Sequence, residues 1–372
     1  MRLMTAHLVS IGTATPEAEL SQPATRDFFR AQPDVDRLAA RLIGAAFDQS
    51  AIDTRYSVIG SIGRGDTAFA DADGRLRSPS TGERNALYRR AAPPLTEKAA
   101  REALARSGFS AADVTHVVTA SCTGFFAPGP DFRLVRDLGI PSSAERTHIG
   151  FMGCAAAFPA LRAAARICAA QPGSVVLVAC TELCSLHIRS SSDPEQIVAS
   201  AVFGDGAAAG IVTSAEPRTA APMLEIGDFS TAITSDGEED MDWTIGDNGF
   251  EMRLTAQVPR IIGREIAGVA ESMLGEGVDP AEAVDAWAVH PGGRSVLDHV
   301  QTGIGLHDEA MADSREVLRE YGNMSSATIL FILQRILDND ALPDGARVAG
   351  LCFGPGLTVE TVALTRTAGV RE

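Results

Sequence analysis

Three residues far apart in a 372-residue chain stand where chemistry could be done. Cys154 closes the run His148-Ile-Gly-Phe-Met-Gly-Cys154, which reads as extended and apolar. The residues from Ala155 to Ala170 are then dense in small side chains and read as a helix that can lie deep in a core. A thiol at that join meets free N–H groups and the positive end of the helix dipole, and both favour the nucleophilic thiolate. A free cysteine there equally suits an apolar filler of the core. His290 ends the apolar run Trp287-Ala-Val-His290, and Pro291-Gly-Gly293 turns the chain away. Loops after strand ends are where α/β active sites gather, although a core histidine with satisfied hydrogen bonds would have the same neighbours. Asn323, in Tyr321-Gly-Asn-Met-Ser-Ser326 ahead of an apolar helix, is either a polar site residue or a plain N-cap. The glycines of Cys352-Phe-Gly-Pro-Gly-Leu-Thr-Val-Glu360 let backbone approach something closely.

The other cysteines are Cys122, Cys168, Cys180, Cys184 and Cys352. None forms a C-x-x-C pair, and a chain of this size does not depend on disulfides, so the thiols read as reduced and the location as cytoplasmic. Cys180, Cys184 and His187 fit no common zinc spacing and lack a fourth ligand, so no metal is expected. A net charge of -16 argues against nucleic acid and anionic membrane as partners. It also means that any phosphate-bearing ligand needs a local basic patch. Neither a signal peptide nor a run of the ~20 apolar residues that a membrane span needs is evident.

The elements that must position these side chains alternate. Ala6–Gly12 reads as a buried strand. Asp34–Phe47 reads as a helix with Leu38, Leu42, Ile43 and Phe47 on one stripe, followed by a connecting segment over Ser50–Tyr56. Gly60–Arg84 reads as a long surface loop, Leu95–Ser107 as a helix closed by Gly108, and Val114–Ala120 as a strand. A short helix over Phe132–Leu138, the Cys154 unit and a strand over Val175–Cys180 complete a βαβ grammar. A second part starts at Met223: strand, polar excursion (Ser235–Asn248), helix (Pro259–Leu274), strand (Ala286–His290), helix (Arg294–Ile304), helix (Ser325–Leu337) and two closing strands. His7, His116 and His148 read as core histidines in strands, and His299 and His307 as surface positions. Residues 1–215 and 216–372 are taken as two similar halves, the first carrying the cysteine and the second the histidine and asparagine.

Gly12-Thr-Ala-Thr-Pro16, the Gly-Cys of Cys154, Phe203-Gly-Asp-Gly-Ala-Ala-Ala209, His290-Pro-Gly-Gly293, Gly322-Asn-Met-Ser-Ser326 and Phe353-Gly-Pro-Gly-Leu-Thr-Val-Glu360 occur together and in order. In this the chain resembles the chalcone-synthase-like type III polyketide synthases, from Gly12 to Thr361, with features of the bacterial branch. The resemblance implies an α/β, thiolase-like fold, a five-layer αβαβα sandwich of two similar halves working as a homodimer. It implies Cys154 as the acyl-accepting nucleophile paired with His290. His290 and Asn323 would donate hydrogen bonds to a malonyl thioester as it loses carbon dioxide. Acyl-CoA and malonyl-CoA would be substrates, no cofactor or metal would be needed, and repeated condensation and cyclisation would give a pyrone, resorcinol or naphthalene.

The resemblance also implies a cavity wall. Phe203 matches a gatekeeping aromatic, and Met252 falls at the second gate position, where Phe is usual. Cys122 resembles the bacterial tetrahydroxynaphthalene synthase form, and Ser325 lies in the motif beside Asn323. His187 replaces a frequent Thr with a bulky, ionisable ring, and Trp243 falls at a place often held by Gly. The basic residues that grip CoA phosphates in plant enzymes are replaced by Leu42, Ala45 and Gln49, with Arg41 and Arg55 nearby. The acyl donor would then be held differently or delivered by an acyl carrier protein. The alternatives are a single-condensation ketoacyl-carrier-protein synthase of the third type, and a non-catalytic acyl-binding relative.

Overall fold

The computed structural model describes residues 5–60 and 69–369. Its first part runs β1 (Ala6–Ala14), β2 (Ala18–Ser21), α1 (Gln22–Arg30), α2 (Arg37–Asp48), β3 (Thr54–Ser57), α3 (Thr81–Ser107) and β4 (His116–Ser121). It continues with α4 (Pro130–Leu138), β5 (Glu145–Gly150), α5 (Ala157–Ala170), β6 (Val175–Leu183), α6 (Pro194–Val202) and β7 (Asp205–Thr213). The second part has β8 (Met223–Ile233), β9 (Met241–Gly246), β10 (Gly249–Leu254), α7 (Val258–Leu274), α8 (Pro280–Ala283) and β11 (Ala286–Val289). It closes with α9 (Arg294–Gly303), α10 (Ala312–Tyr321), α11 (Thr328–Leu337), β12 (Arg347–Gly354) and β13 (Thr358–Thr367).

Nine strands share one sheet in the order β11-β12-β13-β8-β1-β7-β6-β4-β5. β4 runs parallel to β5 and β6, and β11 parallel to β12. The first and second parts join where Ala6, His7 and Leu8 of β1 face Ile226, Glu225 and Leu224 of β8. Strand alternation sorts the core into layers. In β6, Val176, Val178 and Cys180 pack with α5 and α11, while Val175, Leu177 and Ala179 pack with α3. In β12, Val348 and Cys352 face the same α5–α11 cluster, and Ala349, Leu351 and Phe353 face α7 and α9. One central helix layer is therefore shared by two groups of strands, each with an outer helix layer, which makes five layers of the thiolase-like kind. Strands covered on both faces read as continuous apolar runs, as Val175–Cys180 does. The alanines of α5 are short enough to sit between two sheets, and Ala157, Ala160 and Ala164 have no exposed surface.

Several local expectations change. The helix placed over Leu95–Ser107 begins at Thr81 and carries Pro93 and Pro94 inside it. A reciprocal Ser80–Glu83 capping box and the burial of Arg84, Tyr88 and Ala92 hold its first turns, against a loss of about 3 kcal/mol for an interior proline. The loop expected over Gly60–Arg84 therefore ends before Thr81, Phe69 and Ala70 within it are buried, and residues 61–68 lie outside the described residues. The polar excursion Ser235–Asn248 contains one strand of the β9–β10 hairpin. In α2 the buried stripe is Ala39, Ile43 and Phe47; Leu38 is 65% exposed and Leu42 36% exposed, so both leave the expected stripe. His148 lies on an exposed edge strand rather than in the core, and His299 is half-buried rather than at the surface.

Candidate active site

Cys154 sits in a 3₁₀ turn, Gly153–Ala155, one turn ahead of α5 rather than at its first residue. Two left-handed residues, Phe151 (φ 55°) and Gly153 (φ 54°), swing the chain out of β5 into this turn. A Cβ on Gly153 would lie 2.6 Å from Cδ of Pro355, so the glycine also admits the Phe353-Gly-Pro-Gly segment beneath the thiol. His290 follows β11 and donates its backbone N–H to the Leu351 carbonyl at 2.8 Å. Asn323 follows Gly322 (φ 66°). Its Oδ1 accepts from the Ser325 N–H at 2.7 Å, a local turn rather than an N-cap, since Met324 and Ala327 hold the cap positions, and its Nδ2 donates toward Cys154 Sγ at 3.9 Å.

Phe203 and Asn323 are tied directly. The Asn323 N–H donates to the Val202 carbonyl and the Gly204 N–H to the Asn323 carbonyl, each at 2.9 Å, forming a parallel bridge. Cys154, His290, Asn323, Phe203 and Met252 line one open cavity of about 620 Å³. Adjoining it is a smaller chamber of about 50 Å³ lined by Cys122, Cys154, His187, Trp243 and Ser325, with Phe203 and Met252 bordering both spaces. All of the sequence-predicted site residues thus fall around two adjoining hollows.

The electrostatics differ from the sequence expectation. Burial pushes the Cys154 thiol up to about 11; the Ser325 hydrogen bond opposes this, the Glu182 charge adds to it, and the Asn323 contact opposes it again. Burial also pushes His290 down to about 3, and among the described residues neither ring nitrogen has a hydrogen-bond partner. Taken singly, each group is thus pushed towards its neutral form rather than towards the thiolate and imidazolium expected of the two, and no hydrogen bond joins the sulfur to either imidazole nitrogen.

His187 is a wall rather than a charged group. The Phe250 N–H donates to Nδ1 at 3.0 Å, which leaves the proton on Nε2, and Nε2 donates to the Thr123 carbonyl at 2.7 Å. The ring stacks on Phe250 at 4.2 Å, and burial pushes its pKa down to about 3. Trp243 meets it edge-on and donates Nε1–H to the Cys122 carbonyl at 2.6 Å. The side chains of Met241, Trp243, Phe250 and Met252 reach the hollows from one face of the β9–β10 hairpin, by strand alternation.

The sequence reading missed Glu182. It has no exposed surface, and its carboxyl accepts from the Cys122 N–H at 3.0 Å, Thr123 Oγ1 at 2.8 Å and Ser326 Oγ at 2.5 Å. Burial raises its pKa above the usual carboxylate range. Cys122 Sγ lies 3.4 Å from Ser325 Oγ and 3.6 Å from Glu182, so a polar chain runs behind the nucleophile. The available signal was an acid inside an otherwise apolar strand, Val175–Leu183. Among the described residues no group of His, Cys, Asp and Glu could hold a metal ion, and all six cysteines are free.

Comparison with known proteins gives concordant results. The family model for the chalcone and stilbene synthase N-terminal domain matches residues 3–217, and that for the C-terminal domain matches residues 228–368. The alpha-pyrone synthesis polyketide synthase-like Pks18 of Mycobacterium tuberculosis is 30% identical over 362 residues, 95% of this chain and 90% of that one. Probable polyketide synthase 1 of Dictyostelium discoideum is 29% identical over 95% of this chain, which spans 11% of that much longer protein. The crystal structure of the C-terminal type III polyketide synthase domain of Steely1, a type I/III hybrid from Dictyostelium, superposes with a TM-score of 0.88 at 27% identity, covering 98% of this chain and 100% of that one. The chain belongs to the chalcone and stilbene synthase family, the type III polyketide synthases, acyltransferases that condense coenzyme A thioesters with decarboxylation of malonyl-CoA.

Proposed function

We propose that Cys154, His290 and Asn323 carry the condensation, and that the chain is extended more than once. The reading rests on one observation: these three side chains border the same open cavity. Cys154 Sγ gives its proton to the free ring nitrogen of His290 and attacks the starter thioester. The carbon–sulfur bond to CoA breaks, and the CoA thiolate leaves with that proton. Malonyl-CoA then enters. Its carbon–carbon bond breaks, carbon dioxide leaves, and the electron pair becomes an enolate whose oxygen accepts from the His290 N–H and from Asn323 Nδ2–H. The enolate carbon attacks the Cys154 acyl thioester, expels the thiolate, and leaves a chain two carbons longer on CoA, ready to return to Cys154. Phe203 and Met252 divide the CoA side from the smaller chamber. Cys122, His187 and Ser325 shape the space in which the product closes. The small chamber, and a relative named for alpha-pyrone synthesis, favour a short chain closing as a pyrone.

The starter donor is an acyl-CoA, with an acyl carrier protein as a second source; the type I/III hybrid relative favours that addition. The working unit is a homodimer. In support, β5 is an edge strand with exposed residues, flanked by Phe151 and Phe125, which are 38% and 45% exposed. The seam between the halves is put at 215/216.

Two variants test the chemistry by radiolabelled malonyl-CoA decarboxylation and product mass spectrometry. Cys154→Ala is expected to lose acyl loading and products while keeping some decarboxylation. Asn323→Ala is expected to lower decarboxylation by about 10²-fold, the scale of one oxyanion donor. Full product formation by Cys154→Ala, or undiminished turnover by Asn323→Ala, would reject these roles.

A further inference from the structure

On the reading that CoA thioesters enter the open cavity, we propose that their phosphates are bound by Arg260 and Arg294, from the second part of the chain and not from α2. The family's usual grip is absent at its matching positions: α2 presents exposed Leu42 and Ala45 and is followed by exposed Gln49, and its Arg37 and Arg41 do not line the cavity. Across the cavity two helices end together. A Cβ on Gly263 of α7 would lie 3.1 Å from His299 of α9, and one on Gly303 of α9 would lie 2.5 Å from Ile266 of α7. The later contact on one helix matches the later contact on the other, so α7 and α9 run parallel with their amino ends side by side. Arg260 stands in the first turn of α7 and Arg294 is the first residue of α9, and both line the cavity that holds His290.

Neither helix has a side-chain cap at its amino end or an acid in its first turn. A cation there opposes the helix dipole and is unfavourable by about 0.3–1 kcal/mol unless an anion joins it. Arg260 has no ion pair among the described residues, and Arg294 has a loose one, 3.4 Å to an Asp298 that also serves Arg315 at 2.9 Å. The remaining acid of the mouth, Glu195, faces Arg253 at 4.0 Å. A buried polar group in the same cavity also calls for a ligand: His290 has no exposed surface, and among the described residues neither of its ring nitrogens has a hydrogen-bond partner. From Arg260 the cavity adjoins a groove of about 450 Å³ along α7 and α9, lined by Asp298, whose carboxylate is engaged by Arg294 and Arg315, and by His299 and Thr302. Two guanidinium groups and two uncapped helix ends suit a pyrophosphate. The groove beyond has room for the nucleoside with its 3′-phosphate, and the pantetheine arm then points inward to Cys154.

Calorimetric titration separates the phosphate contacts from the reaction. The double variant Arg260→Gln/Arg294→Gln is expected to bind CoA at least tenfold more weakly, and to show a KM for malonyl-CoA raised to match. Its affinity for pantetheine, which has no phosphate, should stay that of the parent. Raising salt from 0.05 M to 0.5 M should weaken CoA binding to the parent far more than to the variant. Unchanged CoA affinity in the double variant overturns the proposal, as does an equal loss for CoA and pantetheine. A tenfold loss in Arg37→Gln/Arg41→Gln instead would return the grip to α2. If Asn323→Ala decarboxylates normally while the arginine variant still loses CoA, the catalytic reading fails and the phosphate site stands.

Discussion

At the scale of single residues, the site works with groups held neutral. His187 and His290 are both buried and both pushed down to about 3, while an unfolded chain titrates its histidines near 6.5. Between those values the unfolded state binds more protons than the folded one, so stability rises with pH across the window and is lost as pH falls through it. Against the opposite trend of Glu182 and Asp205, buried carboxyls that are pushed up, the two histidines therefore contribute a fall in chemical-denaturation midpoint from pH 6.5 towards pH 4. His187→Phe should flatten that slope, since the aromatic stack on Phe250 survives and the buried base does not. A slope identical to the parent's would mean that His187 is not held neutral by its surroundings. The trio Cys154, His290 and Asn323 was legible because each sits beside glycines that mark a change of direction in the chain. Its protonation was not legible, because desolvation depends on how many layers lie over a residue, and no local motif reports that. Glu182 escaped for a related reason: an acid in a strand pattern is ordinarily an edge or a break, and here three hydroxyl and backbone donors keep it inside.

At the scale of elements, the gate and the carboxamide are not independent. Arg55 of β3 has a buried guanidinium whose Nη1 donates to the carbonyls of Ser200 and Phe203, each at 2.7 Å. Its stem lies against Gly322, where a Cβ would come within 2.8 Å of Arg55 Cγ. One side chain thus touches both ends of the Phe203–Asn323 bridge without touching the cavity. Burial pushes its pKa down to about 10 with Asp205 opposing, so it stays charged. Arg55→Met keeps the stem and removes the donors. It should lower kcat for decarboxylation about tenfold with little change in KM, from loss of a charge-assisted clamp worth ~1.5–3 kcal/mol, and should scatter product lengths. Arg55→Lys should recover part of both. Equal kcat and an unaltered product profile in Arg55→Met would show that the bridge holds itself. Sequence reading found Arg55 as a neighbour of the lost CoA grip and could not see it turn inward, since β3 is four residues long and too short for a period. The strand β9 was hidden inside the polar excursion Ser235–Asn248 for a parallel reason. The outward face of the β9–β10 hairpin carries Asp242, Thr244, Glu251 and Arg253, and that polar alternation masks the Met and Trp residues opposite. Leu38 and Leu42 misled in the other direction, because helical spacing alone does not say which of two apolar stripes faces the core.

At the scale of the whole molecule, the layered order followed from the alternation of apolar strands with small-residue helices, while the continuity of the sheet did not. β5 ends that sheet, and edge strands with open N–H and C=O groups invite a partner. If two copies pair there, Ile149→Arg should shift the parent's dimer to monomer in light scattering, without loss of helical signal; a persistent dimer would move the interface elsewhere. The narrow seam at β1 and β8 carries a different consequence, one of timing. β1 leaves the ribosome well before its sheet neighbours and needs Thr213–Ala207 on one flank and Ile226–Leu224 on the other. At ~5–20 residues per second that wait is roughly ten to forty seconds. For that interval both edges of the apolar ribbon from Ala6 to Ala14 lack their partner strands even once α3 covers one face of it, so β1 stays open to chaperones and proteases long after the βαβ unit behind it has had time to close.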